Sequence, residues 1–160
     1  GVSRSDGTNA APFGATASGL PLAGGLIRVS ELRRGRIDHA LAVGIEDIEA
    51  GTTVWPASRT DGARSAPGAI PMGTRFRLDP RVDVGRLGMT RSGTAIARAV
   101  QRYGMVVRDH ADDSIVFYGE DPAPTGANPY PRIFGGLRPD QVLRGFPWHR
   151  LQVVAPRPRP

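Results

Sequence analysis

Glycine and proline interrupt this chain so often that long regular elements have little room to form. The sequence has 21 glycines and 15 prolines in 160 residues. Glycine favours tight turns, and proline lacks the backbone N–H that helices and sheet ladders need. Such dense punctuation favours many short strands joined by turns over a helical bundle. We therefore expect a mainly β fold.

Alternating side chains predict the strands. Residues 38–45 alternate between larger side chains such as Leu41 and small ones such as Ala42, so both faces of this strand can be buried. Further strands are expected at residues 52–57, 74–78 and 148–154, and a hairpin is expected between residues 105–108 and 114–118. About six short strands predict a jelly-roll-like β-sandwich or a compact barrel.

One amphipathic helix is predicted within residues 92–103, and Gly104 follows it as a left-handed cap. Its apolar stripe consists of Ala95, Ile96, Ala99, Val100 and Tyr103. Shorter helical segments are predicted from Ser30, as the N-cap, to Gly35, and from Pro139 to Gly145. The mainly β fold thus contains one inserted amphipathic helix.

The chain is expected to form one main unit. Residues 1–18 are rich in small and polar side chains and predict an extended arm or the end of upstream structure. Residues 19–155 predict a single β-rich domain. Residues 156–160 form a Pro/Arg tail of polyproline II type.

Composition excludes several classes of site. The chain lacks cysteine, which excludes disulfides, thiolate zinc sites and cysteine nucleophiles. All 21 basic residues are arginine, and the net charge is +6. This charge makes nucleic-acid binding a minor alternative, although the arginines are scattered. The sequence predicts no membrane span, metal site or cofactor.

His39 is the first candidate for a functional role. It is either a core histidine whose ring nitrogens are satisfied or a general base on a rigid strand. Asp38 points to the opposite strand face, so we expect Asp61 to orient His39. His39 and Asp61 are accordingly the predicted catalytic residues.

The remaining candidates lie around two loops. Arg59 and Asp61 precede Gly62 in a loop that is either an Asx-turn or the edge of a substrate cleft. Trp55 is either core or a stacking platform for a sugar ring. Asp109 begins an acidic turn. We predict that Trp55, Arg59 and Asp109 bind substrate.

Several segments resemble a bacterial protein family, frequent in actinobacteria and often predicted to be secreted, for which no activity is established. The matching segments are residues 19–21, 24–28, 35–41, 55–56, 59–62, 71–78, 103–104 and Asp109. The resemblance implies an extracellular or cell-surface location. It also implies that Gly1 is a processing site or an artificial boundary, with a β-rich N-terminal part missing or supplied by another chain.

A weaker resemblance links residues 71–75 and Asp109 to double-psi barrel proteins, in which such an aspartate cleaves cell-wall glycans. The first functional expectation is therefore an extracellular domain that binds a polysaccharide or cell-surface glycan, or cleaves one as a hydrolase or lyase. The alternative is a non-enzymatic structural or assembly module that docks on neighbouring chains.

Overall fold

A computed structural model describes residues 16–112, 114–122 and 126–156, and it is mixed α/β. Helix accounts for 23% and strand for 24%, so neither class dominates. The described residues form a five-stranded mixed sheet and no closed barrel. The expectation of a mainly β sandwich or barrel was therefore wrong. Residues 1–15 of the expected arm and residues 157–160 of the tail lie outside the described residues.

The elements are numbered in chain order. They are α1 Val29–Arg34, β1 Leu41–Ile45, β2 Ile48–Thr53, β3 Ile70–Met72, β4 Arg75–Leu78, α2 Arg91–Arg102, β5 Met105–His110, β6 Val116–Phe117, α3 Tyr130–Ile133, α4 Pro139–Val142 and β7 Leu151–Val154. Two 3-10 turns span Val84–Arg86 and Trp148–Arg150.

The main sheet has the strand order β6–β1–β5–β4–β7. Strands β1 and β5 are parallel, and the other neighbours are antiparallel. Strands β2 and β3 form a separate parallel pair. The expected hairpin was wrong because β5 pairs with β1 and β4, whereas β6 pairs with β1. Strand β5 is largely buried and needs a neighbour on each side, which the two-residue β6 could not supply.

The parallel pairing explains why the sandwich prediction failed. A parallel pair needs a long crossover, and the chain between β1 and β5 supplies it with β2, β3, β4 and α2. Alternation within one strand shows which side chains share a face but not which strand lies beside it. The alternation of β1 therefore could not predict that this strand lies inside a mixed sheet.

The local predictions fared better. Helix α2 buries four residues of its predicted stripe and packs against β4; these four are Ala95, Ile96, Ala99 and Val100. Gly104 and Gly35 both have the left-handed backbone predicted for helix ends. Helix α1 starts one residue before Ser30, with Arg28 as its N-cap, so the predicted Ser30 cap was wrong.

The small side chains of β1 allow another part of the chain to approach closely. The N–H of Ala42 donates to the carbonyl oxygen of Gly25 at 3.0 Å. A Cβ at Gly25 would lie 2.5 Å from that nitrogen, and Gly25 has a φ of +75°. Both faces of β1 are consequently buried, with Leu41, Ala42 and Val43 each at most 3% exposed, as the pattern predicted.

Candidate functional site

Strand β5 contains a β-bulge close to its carboxyl end. Val43 pairs with Val107, but Gly44 pairs with Asp109, so Arg108 is an extra residue in β5. Bulges kink a strand and often re-aim side chains beside functional sites. Because β1 and β5 are parallel, their carboxyl ends meet at this edge, which is where open α/β sheets usually bind ligands.

Arg108 at the bulge is a buried cation. Its side chain is held by the carbonyl oxygens of Leu22 and Gly24, which accept from Nη1 at 2.8 and 3.0 Å. Its guanidinium lies 4.1 Å from the ring centroid of Tyr118. Burial lowers the pKa of Arg108, and the nearby Tyr118 and Asp109 oppose that shift. A desolvated guanidinium fixed in this way offers a positive charge beside Asp109.

Tyr118 reaches over Gly44 toward the same place. A Cβ on Gly44 would lie 2.7 Å from the Tyr118 hydroxyl, so the absence of a side chain at Gly44 makes room for the phenol. Burial raises the pKa of Tyr118, and the negative charge of Asp109 raises it further. Tyr118 therefore keeps its proton at neutral pH and can act as a hydrogen-bond donor.

Asp109 is the carboxyl group whose titration is most affected by this environment. Burial raises its pKa, and the charge of Asp61 adds to the shift. The backbone N–H groups of His110 and Ala17 and the charge of Arg108 act in the opposite direction. The structure thus brings Asp61 and Asp109, which are far apart in sequence, within electrostatic reach of each other.

The loop that carries Asp61 does not use that side chain to form its turn. The N–H of Gly62 donates to Oγ1 of Thr60 at 2.9 Å. The turn expected from Asp61 is therefore made by Thr60. Asp61 is exposed, and its carboxylate forms no hydrogen bond or ion pair with any described residue. It remains available to a ligand.

Residues 16–18 fasten this loop. The Arg59 guanidinium donates to the carbonyl oxygen of Thr16, and the N–H of Ser58 donates to that of Ser18 at 2.9 Å. Ser18 is fully buried, and its N–H donates to the carbonyl oxygen of Arg108 at 3.2 Å. One short segment therefore connects the Asp61 loop to the bulge beside Asp109.

Trp55 stands between two surface grooves and is 40% exposed. A groove of about 270 Å³ connects Trp55 with Arg108. The other groove, of about 320 Å³, is lined by Trp55, Tyr103 and three arginines, namely Arg75, Arg77 and Arg102. An exposed indole beside such grooves is suited to stacking on a sugar ring.

His39 lies elsewhere, before the first residue of β1. Its Nε2 is 3.1 Å from Oε2 of Glu31, and its Nδ1 is 2.9 Å from the carbonyl oxygen of Ala40. The carboxylate expected to orient His39 was Asp61, and the structure shows Glu31 in that place. Asp38 instead pairs with Arg36 at 2.7 Å. The predicted catalytic residues His39 and Asp61 are therefore not hydrogen-bonded to each other.

The sequence analysis missed three residues that surround Asp109: Gly44, Arg108 and Tyr118. A lone arginine in an apolar strand was the only local signal, because a buried cation normally has a reason to be there.

Among the described residues, no group of three or more histidine or acidic side chains is placed to hold a metal ion. No helix in the same part of the chain is long and apolar enough to cross a membrane.

Comparisons of this chain with protein-family models, with curated proteins and with solved structures found no significant match.

Proposed function

We propose that this protein binds and cleaves a polysaccharide at the cell surface, as a glycan-acting hydrolase that uses Asp61 and Asp109. The observation that carries the proposal is the position of Asp109, half-buried next to the bulge at Arg108, where the charge of the exposed Asp61 reaches it. Burial and that charge both raise the pKa of Asp109. Pairs of carboxyl groups in unequal environments divide the acid and base roles in glycoside cleavage.

In this mechanism Asp109 donates its proton to the glycosidic oxygen as the bond to the leaving sugar breaks. The Asp61 carboxylate takes a proton from the water that attacks the anomeric carbon. The protonated Tyr118 and the buried Arg108 stabilise the negative charge that develops on Asp109 as it gives up its proton. Trp55 stacks on a sugar ring of the bound chain, and Arg59 orients the loop that carries Asp61.

The test is an assay of new reducing ends with a panel of bacterial cell-wall and secreted polysaccharides. We expect Asp109→Asn and Asp61→Asn each to reduce turnover by about 100-fold or more. The matched control is Glu46→Gln, because Glu46 is an exposed carboxylate just after β1 that forms no ion pair with described residues. Full turnover in both aspartate variants would contradict the proposed mechanism. If the wild type binds a glycan but does not cleave it, the protein would be a glycan-binding domain and not a hydrolase.

The assembly-module alternative has one supporting feature. Strand β7 is an edge strand that pairs only with β4 among the described strands, and Val153 on it is 66% exposed. Uncovered edges are places where another chain can add a strand. Mass measurement in solution tests this alternative, since an assembly module should form oligomers that a Val153→Lys change disrupts.

A further inference from the structure

A separate cavity of about 530 Å³ lies at the start of α2, beside α1 and α3. Three arginines from three different elements line it: Arg33, Arg91 and Arg132. None of the described residues that line the cavity is acidic. Neither Arg33 nor Arg132 forms an ion pair with a described residue. The cavity therefore concentrates positive charge that the described part of the protein leaves unbalanced.

Arg91 is held in a fixed position within this cavity. Its Nη2 donates to the carbonyl oxygens of Arg33 and Arg34, at 3.0 and 3.1 Å. Gly35 leaves space for it, because a Cβ there would lie 2.8 Å from Nε of Arg91. Arg91 thus caps the end of α1 while its remaining N–H groups stay available. A guanidinium fixed before a ligand arrives loses less conformational entropy on binding.

Ser92 also lines this cavity. It is only 2% exposed, yet its hydroxyl has no hydrogen-bond partner among the described residues. Nearly buried polar groups usually have a partner. The N–H groups of Gly93 and Thr94 bond to Thr90, but those of Arg91 and Ser92 find no acceptor in the same part of the chain. At the N-terminus of this twelve-residue helix, a hydroxyl and two N–H groups therefore lack an acceptor among the described residues.

We propose that this cavity binds a phosphate group. The start of a helix favours anions, and guanidinium groups match the geometry of phosphate oxygens. Three cations converging from different elements suit a tetrahedral oxyanion, whose oxygens point in several directions, better than a planar carboxylate. The group is either free inorganic phosphate or a phosphodiester of an anionic polymer, since both present negatively charged, non-bridging phosphate oxygens as acceptors. This proposal does not depend on the carboxylate site.

The direct test is titration of the protein with inorganic phosphate at constant ionic strength, followed by the NMR amide signals of Arg91 and Ser92 and by calorimetry. We expect saturable shifts of these two signals. The double variant Arg33→Gln, Arg132→Gln removes two exposed charges and should weaken binding by about tenfold or more. Ser92→Ala should weaken it without changing the net charge. Saturable binding that moves neither amide signal would overturn the proposal, as would no binding.

Arg98→Gln is the matched control, because Arg98 is an exposed arginine of the same helix outside this cavity. It should bind phosphate as the wild type does, and an equal loss in this variant would overturn the proposal by indicating attraction to net charge alone. Further arms use a glycerol-phosphate oligomer and a DNA oligonucleotide. Displacement of phosphate by the oligomer at the same amides would support a polymer as the source, and no displacement would support the free ion. Oligonucleotide binding that Arg98→Gln weakens as much as the double variant does would indicate a diffuse charge effect for that polymer and would support the free ion as the ligand of the cavity.

Discussion

Oε2 of Glu31 lies 3.1 Å from Nε2 of His39 and joins helix α1 to the segment that leads into β1. Glu31 is buried, and the same oxygen accepts from the N–H of Arg28 at 2.9 Å. The geometry gives His39 a structural contact, whereas its predicted catalytic role requires it to act on a substrate. The two roles lead to different experimental outcomes.

We expect His39→Ala and Glu31→Ala each to lower the free energy of unfolding, because each removes a partner from a mostly buried contact. A double-mutant cycle should give a coupling of about 1 kcal/mol. Chemical denaturation measures it, and His149→Ala, at an exposed histidine, should leave stability unchanged. If His39→Ala abolishes glycan cleavage while the protein stays folded, His39 belongs to the mechanism after all.

Removing the charge of Asp61 should change the pH dependence of the proposed glycan cleavage in a specific direction. The charge of Asp61 raises the pKa of Asp109, so Asp61→Asn should lower it. If Asp109 is the acid, the high-pH limb of kcat/KM should move to lower pH in whatever turnover remains. A sensitive fluorogenic substrate would measure the shift, and Glu46→Gln should leave the limb in place. An unchanged limb would show that another group is the acid.

Asp109 should also cost the protein stability at neutral pH. Its pKa is raised in the folded state, so its favourable contribution is present below its unfolded pKa of about 3.9 and is lost as pH rises through the folded value. Asp109→Asn should therefore raise the free energy of unfolding at pH 7, with the gain shrinking toward pH 3. Denaturation at both pH values measures this. A variant less stable than the wild type at pH 7 would contradict the expected sign.

Asp79 should stabilise the folded protein at neutral pH, whereas Asp109 should destabilise it. It is 2% exposed and accepts hydrogen bonds from Arg81 and, at 2.7 Å, from Arg150. These contacts hold its pKa far below the ordinary range, with Arg81 the larger cause. Its contribution is present above the unfolded pKa of about 3.9 and is lost as pH falls toward the folded value.

Acid titration of stability tests the Asp79 contacts. We expect the wild type to lose stability below about pH 4, where an unfolded aspartate begins to bind its proton. Arg150→Gln should be less stable at pH 7 and should lose less on acidification, since one of the stabilising contacts is already gone. Arg98→Gln serves as the charge control. Parallel acid profiles for wild type and Arg150→Gln would contradict the prediction.

The features that sequence predicted well are local ones. The stripe of α2 and the left-handed glycines at positions 35 and 104 depend on neighbours within a few residues, and the structure confirms both. The sheet could not be predicted in this way, because β1 and β5 come from distant parts of the chain. A mixed sheet and a sandwich contain similar individual strands.

In the candidate site, too, the local features were predicted and the long-range contacts were not. Asp61 and Asp109 were each singled out from their loops, but their proximity depends on the fold and could not be read from either loop. The bulge at Arg108 arises from the register of two strands, which no local pattern encodes. The expected Asp61–His39 contact was wrong for a similar reason: strand alternation excluded Asp38 as the partner but could not show that Glu31 of α1 lies beside His39.

The order in which the strands are made has a consequence for synthesis. Strand β1 is among the first parts of the described chain to be translated, yet its parallel neighbour ends only at His110. Until then its Leu-Ala-Val core has an incomplete sheet around it, and long-range closure of this kind is slow. During synthesis, this apolar segment therefore waits for its main sheet partner until residue 110 has been added.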